Sequence, residues 1–490
     1  ARAVVVTTGT FLRGRIHIGT ETRVSGGRAG EAASTHLAEQ LERLDLEVAR
    51  FKTGTPPRVD GRTVNYDVMQ IQESEIEQFD YSWSHFWDLP RRAGDVTRHP
   101  DQMPCWITHT SDRTRRVIED NLMKSAMYGG AIGSRGPRYC PSVEDKIVKF
   151  PDAESHQLFL EPEGHDTTEL YVNGLSTSLP ADVQVEMLRS VPGMEDVEMT
   201  RAGYAIEYDY YVPTQLDEKL AVRNADGLFF AGHINGTTGY EEAAGQGVVA
   251  GANGAAHTLE LSAMIAARER SFIGVLVDDL VTRGVDEPYR LFTSRSEFRL
   301  TVRQDNALGR LGALARNAGL LNERETAVLE ARLDAERELL SQATGTSITP
   351  QQAAHVLQAA NEAPLSHAVR IAEVVKRPGV SLADLFSAVG LAVSDADAIV
   401  TAELELKYAG YFERERTQAE RMKRLRDFAI PLELPYDEMQ SLSTEARQKL
   451  SRVRPTTLAQ AERVPGISAS DLQNLVIEIE RRRRRATEVS

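Results

Sequence analysis

One cysteine is set among groups that would make it reactive. Cys140 lies in Gly136-Pro-Arg-Tyr-Cys140-Pro-Ser-Val-Glu-Asp-Lys146-Ile-Val-Lys-Phe150, with Pro137 and Pro141 around it and Arg138 and Lys146 close in sequence. Prolines disfavour helix interiors and central strands, so the segment is expected to be a loop that ends in a strand-like piece over 146–150. Nearby cations favour thiolate over thiol and make a cysteine nucleophilic. The bland alternative is a small buried hydrophobe. A second segment, Gly227-Leu-Phe-Phe-Ala-Gly-His-Ile-Asn-Gly-Thr-Thr-Gly-Tyr-Glu-Glu242, has the pattern strand, glycine turn, helix. Free N–H groups at Gly232, Asn235, Gly236 and Thr237, followed by a helix N-terminus, would suit a diphosphate. An ordinary tight β–α turn would look the same. Arg295, Arg299 and Arg303, at i, i+4 and i+8, form a candidate basic stripe with Arg290, and Arg481 to Arg485 form a basic run; such runs are usually solvated faces.

These residues need elements to hold them. Val4 to Val6, running into Thr7-Thr8-Gly9-Thr10, reads as a buried β-branched strand ending in a glycine turn, as in a dinucleotide-binding sheet. Leu37, Leu41 and Leu44 mark one face of a helix from Ser34. The texture changes over 59–198 to short strands and proline-rich turns, with strand-like pieces at Trp106 to Thr108 and Gln157 to Leu160. Leu228 to Ala231 is again a buried strand. Beyond it, Ala243, Ala244, Gly245, Gly247, Ala250 and Gly251 make a helix that can pack closely on a sheet. After residue 311 the pattern is helical, with Leu329, Leu333 and Leu340 on one face and a mixed-charge helix over 401–430. Ser468 and Asp471 cap a last helix.

The expected fold is an α/β Rossmann-like dinucleotide-binding domain (1–58 and 199–310), an inserted α+β domain (59–198) and an all-α C-terminal domain (311–490). The opening at Ala1, already in a strand, implies that the N-terminal half of the first domain is missing.

Composition removes several classes. With 41% hydrophobic and 26% charged residues the chain is ordinary for a globular protein. No apolar run approaches a membrane span and no signal peptide opens the sequence. Two cysteines in 490 residues exclude a disulfide scaffold and suit a reducing cytoplasm. No zinc-type ligand spacing occurs, so no metal is expected. The net charge of −15 argues against general attraction to nucleic acid, although a local basic stripe can still act.

The Gly136–Phe150 and Ala231–Glu242 segments resemble the two signatures of the MnmG (GidA) family, the FAD-binding subunit of the enzyme that builds 5-carboxymethylaminomethyl uridine in tRNA. The resemblance continues through Lys52-Thr-Gly-Thr-Pro-Pro-Arg58, Glu287-Pro-Tyr-Arg-Leu-Phe-Thr-Ser-Arg295 and Pro465-Gly-Ile-Ser468, and covers essentially the whole chain. It implies FAD, NADH and methylene-tetrahydrofolate as cofactors and a one-carbon transfer to carbon five of the wobble uridine, with nitrogen from glycine or ammonia. It also implies a homodimer that joins the GTPase MnmE in a heterotetramer.

Ser34 and His233 match FAD-contacting positions, with Gly9 and the 232–237 turn beside them. Gly136, Pro137, Arg138, Tyr139 and Lys146 fall in a proposed NAD-binding stretch. Arg138, Lys146, Arg295, Arg299 and Arg303 are the tRNA-contact candidates. Cys140 is the expected covalent nucleophile, and two roles stay open for it: adding to carbon six of the base or carrying the one-carbon unit.

The chain departs from the family pattern in three ways. His233 stands where the family usually has Gln. A second functional cysteine of the family has no counterpart, since Cys105 reads as core. The absent half-domain should hold the ADP end of FAD, so weak FAD binding or none is expected of this chain alone. Alternatives are a folate- and FAD-dependent tRNA uridine methyltransferase, which lacks the long helical region after 311, a small-molecule flavoprotein oxidoreductase, and a non-catalytic interaction module.

Overall fold

Two short strands far apart in sequence lie side by side. Val4–Val6 pairs in parallel with Leu228–Phe230, with Val4 opposite Leu228 and Val6 opposite Phe230. The computed structural model describes residues 1–74, 102–138, 141–393 and 395–489. Tyr139 and Cys140 therefore lie outside the described residues, as do the side chains of 483–489.

The parallel pair is held on one side only: Val4 and Val5 are exposed, against the expectation of a buried strand, and Val6 alone of the three turns inside. Val6, Leu41, Phe229, Phe230, Ile234, Val249 and Val277 belong to one core, closed by the Thr35–Glu42, Tyr240–Leu259 and Phe272–Arg283 helices. Each large side chain removed from water contributes roughly 1.5–3 kcal/mol. The Tyr240–Leu259 helix packs on the pair through Gly254, which faces Val5 and Phe229 with room for no more than a methyl group, at ordinary contact distances of 3.5 and 3.7 Å.

Among the described residues a four-stranded antiparallel sheet adjoins this pair, in the order Thr22–Ser25, Arg15–Ile18, Tyr204–Tyr211, Val48–Thr55. Tyr204–Tyr211 is almost wholly buried: Tyr208 and Tyr210 cluster with Phe51, and Tyr211 enters the core of the parallel pair. A six-stranded antiparallel sheet draws its strands from 58–201 only, in the order Met199–Arg201, Arg58–Asp60, Glu169–Asn173, Gln157–Pro162, Cys105–His109, Gln70–Gln72. The Asp112–Asn121 and Ala181–Leu188 helices share its apolar core.

The C-terminal part is helical with two separate cores, one built from Leu339 to Ala402 and the other from Ile430 to Ile479. The expected mixed-charge helix over 401–430 is in fact two, Ala396–Lys407 and Ala409–Asp427, broken at Tyr408. Ser468 caps the last helix as its spacing implies: Asp471 N donates to Ser468 Oγ at 3.1 Å and Ser468 N to Asp471 Oδ2 at 3.1 Å. No helix among the described residues is long and apolar enough to cross a membrane.

Two local expectations need correction. Residues 146–150 are not strand: Val143–Lys149 is a helix. Its start signal is Ser142, whose hydroxyl accepts from Asp145 N, and Glu144, Asp145 and the terminal lysines suit the helix dipole. The spacing of Arg295, Arg299 and Arg303 builds no helix either. The stretch is a 3-10 turn at Thr293–Arg295 followed by irregular backbone, so the i, i+4, i+8 relation produces no stripe.

Candidate active site

Parallel strands end at the same edge, and the turns after them meet there. Thr7–Thr10 follows the first strand and Ala231–Gly236 the second, locked together by Ala231 N donating to Val6 O at 3.1 Å. Gly232 takes φ +88° and ψ −143°, which a side chain would strain, and so swings the chain across the crevice. The His233–Asn235 turn follows, and then the Tyr240–Leu259 helix.

One buried side chain organises this turn. Gln246 Oε1 accepts from Gly232 N (3.1 Å) and Asn235 Nδ2 (2.8 Å), while its Nε2 donates to Thr237 Oγ1 (2.9 Å) and Glu242 O (3.0 Å). Sequence reading missed Gln246; the only signal was a fully polar residue on an otherwise small-residue helix face. Glu242 was missed as well. It is 1% exposed, and its Oε1 accepts from Arg290 Nε at 3.0 Å and Leu291 N at 2.8 Å.

The opposite wall comes from the first turn. Ser34 N donates to Phe11 O at 2.8 Å, and Asp209 N to Leu12 O at 2.8 Å. Ser34 precedes the Thr35–Glu42 helix without capping it through its side chain. Beyond Gly9 nothing lies within 4 Å of the place a Cβ would take. The Thr8 Oγ1 and Asn235 Oδ1 atoms are buried and have no protein partner. His233 stands edge-on to Tyr208, with centroids 5.4 Å apart, and burial lowers its pKa, so the ring is neutral near pH 7.

The cysteine segment approaches this crevice from the side. Lys52 N donates to Arg135 O at 2.9 Å, and a methyl at Gly136 would collide with the Lys52 side chain. Phe51, next to Lys52, stacks on Tyr210 at 3.9 Å, and Gly236 packs against that same pair. The segment before Cys140 thus pairs with the Val48–Thr55 strand at Phe51, while the Gly236 turn packs on the Phe51 and Tyr210 rings. Arg138 is exposed and pairs with Glu287 at 3.1 Å.

Lys146 sits on the Val143–Lys149 helix and donates to Gly174 O at 3.0 Å, so its charge helps to hold the inserted sheet. Cys105 lies on a strand, and burial raises its thiol pKa, with Glu161 adding to the effect.

The arginines separate. Arg295 stacks 4.3 Å from the Tyr289 ring centre and lines a cleft of about 590 Å³, together with Arg283, Lys449 and Arg452. Arg299 is exposed. Arg303 turns inward: it pairs with Asp305 at 2.9 Å and Glu405 at 3.2 Å and covers the Phe412 ring at 4.4 Å. Among the described residues, no cluster of His, Cys, Asp and Glu could hold a metal ion.

Comparison with known proteins agrees along the whole chain. A family model described as Glucose inhibited division protein A matches residues 1–262. Models described as the tRNA modifying enzyme MnmG/GidA C-terminal helical domain and C-terminal helical bundle match 324–416 and 418–490. The tRNA uridine 5-carboxymethylaminomethyl modification enzyme MnmG of Flavobacterium psychrophilum is 45% identical over 97% of this chain and 76% of its own length. That of Exiguobacterium sibiricum is 45% identical over 98% of this chain and 75% of its own. Aquifex aeolicus GidA, solved in two crystal forms, superposes with TM-scores of 0.83 and 0.84 at 41% and 43% identity. Each comparison covers 97% of this chain, and 74% and 76% of that one.

Proposed function

Since the chain belongs to the MnmG/GidA family of tRNA-modifying enzymes, we propose that it builds the aminomethyl-type substituent at carbon five of the tRNA wobble uridine. The observation that supports this reading is that residues 134–136 run beside Phe51, on whose ring the Gly236 turn also packs, so the stretch leading in sequence to Cys140 starts next to that turn. The family binds FAD, and the residues here suit that group: the unpartnered Thr8 and Asn235 oxygens and the open space beyond Gly9 favour a hydrogen-bonding ligand in the crevice. Ser34, Gly9, Gly232, His233, Asn235, Gly236 and Thr237 would hold it. Bound there, FAD would supply the reducing equivalents of the one-carbon transfer.

The remaining chemistry falls to this chain. Uracil carbon five is a poor nucleophile until a group adds at carbon six, and we assign that addition to the Cys140 thiolate. Arg138, exposed and two residues before it, would favour the thiolate and meet tRNA phosphate. Arg295 and Arg299 extend the tRNA contact. The same reading includes NADH as reductant, methylene-tetrahydrofolate as one-carbon donor, glycine or ammonia as nitrogen source, a homodimer, the GTPase MnmE as partner and a cytoplasmic location. Gly136 to Lys146 is the proposed NAD stretch within it.

The test is nucleoside mass spectrometry of tRNA from cells lacking the endogenous enzyme, complemented with this protein or its Cys140→Ser variant. Restoration by the parent alone supports both function and nucleophile. Restoration by both removes Cys140 from the chemistry. Failure of both, with folded and flavin-loaded protein, overturns the tRNA reading.

A further inference from the structure

The Asp286–Leu291 stretch has four attachments. Arg135 Nη1 donates to Asp286 O at 3.2 Å and Arg138 pairs with Glu287, so the stretch grips the backbone that leads in sequence to Cys140. Tyr289 N donates to Gly236 O at 2.9 Å, and Tyr289 O accepts from Thr238 N at 3.0 Å, which frames the glycine loop. Arg290 and Leu291 hold Glu242 at the start of the next helix. The fourth attachment leaves the α/β unit. The Tyr289 hydroxyl donates to Asp279 Oδ2 at 2.8 Å, and Arg268 Nη1 donates to Asp279 Oδ1 at 2.7 Å and to Asp278 Oδ2 at 3.3 Å. Asp278 in turn receives Arg463, from the Leu458–Arg463 helix of the C-terminal region.

We propose that Tyr289 is a positioning residue that couples the seating of the C-terminal helical region, through Arg463, Asp278, Arg268 and Asp279, to the geometry of the Gly232–Gly239 loop. The residue is suited to this by having its two ends on different partners. Its phenol is fixed to a buried carboxylate and its peptide groups are fixed to the loop, with only 5% of the residue exposed. The ion network cannot lose Arg463 without adjusting. Asp279 is buried and the Asp278 side chain 12% exposed, Arg268 is shared between them and Glu297, Asp279 also faces Arg283 at 3.7 Å, and a carboxylate so enclosed is costly to deprive of a cation. Withdrawal of Arg463 would draw Arg268 toward Asp278 and weaken the anchor that Asp279 offers Tyr289. The coupling takes its functional meaning from the flavin reading above, but its physical test requires no flavin.

The experiment is amide hydrogen exchange by mass spectrometry on the full chain, comparing the parent, Arg463→Gln, Tyr289→Phe and the double variant. Each single substitution is expected to speed exchange in the 232–240 peptide about fivefold or more. The double variant should exceed Tyr289→Phe by less than about twofold, because the path is already cut. Peptides of the six-stranded sheet over 157–173 serve as the unaffected reference.

Acceleration by Arg463→Gln confined to its own helix and to 272–283, with the loop unchanged, would overturn the proposal. So would effects that multiply in the double variant. If Arg463→Gln loosens the whole C-terminal region, Tyr289→Phe decides alone: the loop must exchange faster while residues 444–480 stay protected, and an unchanged loop is a negative result. A flavin titration on the same samples separates the two ideas. Binding at full occupancy supports the flavin reading, and whatever the titration gives, the exchange data alone decide the coupling.

Discussion

Gly239 holds φ +120° and ψ 148° at the N-cap of the Tyr240–Leu259 helix, and a methyl there would lie 2.0 Å from Glu242 Oε2 and 3.1 Å from Arg290 Cζ. Glu242 cannot move aside cheaply because Arg290 and Leu291 N hold it. Gly239→Ala should therefore destabilise the protein by about 2–3 kcal/mol, read from denaturant midpoints.

His233 makes a pH prediction. Burial holds its pKa below the ordinary 6.5, so the unfolded chain takes up this proton first as pH falls. The neutral ring's contribution is complete above 6.5 and is lost progressively as pH drops toward the folded value. His233→Gln should reduce the loss of stability between about pH 7.5 and about pH 5.5, measured by urea unfolding. His17 and His156, lowered by burial in the same direction, would keep some slope.

At this scale the backbone of one turn was legible. The turn through Gly232, Asn235, Gly236 and Thr237 follows from an apolar strand run, a glycine cluster and a small-residue helix in sequence. Gln246, Glu242 and Tyr289 were not legible, because each acts through a partner that only the folded chain brings near.

Elements were legible where one face is apolar and misread where charge hides a face. Leu37 and Leu41 announced the Thr35–Glu42 helix, and the Leu228–Phe230 strand followed from its unbroken apolar run. The Glu323–Gly345 helix shows the opposite case. Its inward face includes not only Leu329 and Leu339 but Arg332, 4% exposed, which pairs with Glu336 at 2.9 Å and Asp395 at 3.3 Å and donates to Thr401 at 3.4 Å. This arginine fastens the helix to the neighbouring Ala396–Lys407 helix, so a charge within a charged helix is part of the core. Arg332→Ala should cost about 2–3 kcal/mol, below the figure for a fully buried pair because Asp395 and Asp397 are about a third exposed. Thermal unfolding of the full chain checks it. The Val143–Lys149 helix was missed for a different reason: the prolines before it drew the eye from the Ser142 cap that starts it.

For the whole molecule, charge and topology set the remaining expectations. A chain of net charge −15 can hold tRNA only through a local patch, so binding should be steeply salt-dependent. If Arg138, Arg295 and Arg299 each neutralise one phosphate, affinity should fall about fortyfold between roughly 50 and 200 mM salt, and Arg299→Ala should lower the log–log slope by about one. Filter-binding titrations at several salt concentrations measure it. Arg303 should leave the slope unchanged, since its guanidinium already serves Asp305 and Glu405.

The three-part division was readable from texture, but the helical region's two cores were not, since a broken helix and a continuous one share the same charge pattern. The pairing of Val4 with Leu228 also has a temporal side. A nascent chain emerging from the ribosome would complete every strand of the six-stranded sheet, the last being Met199–Arg201, while the first strand still waited for its partner. The joining of this pair is thus a late event in synthesis, made around a module that can already have folded, and a chain halted short of residue 228 would own that sheet without the turn that follows the second strand.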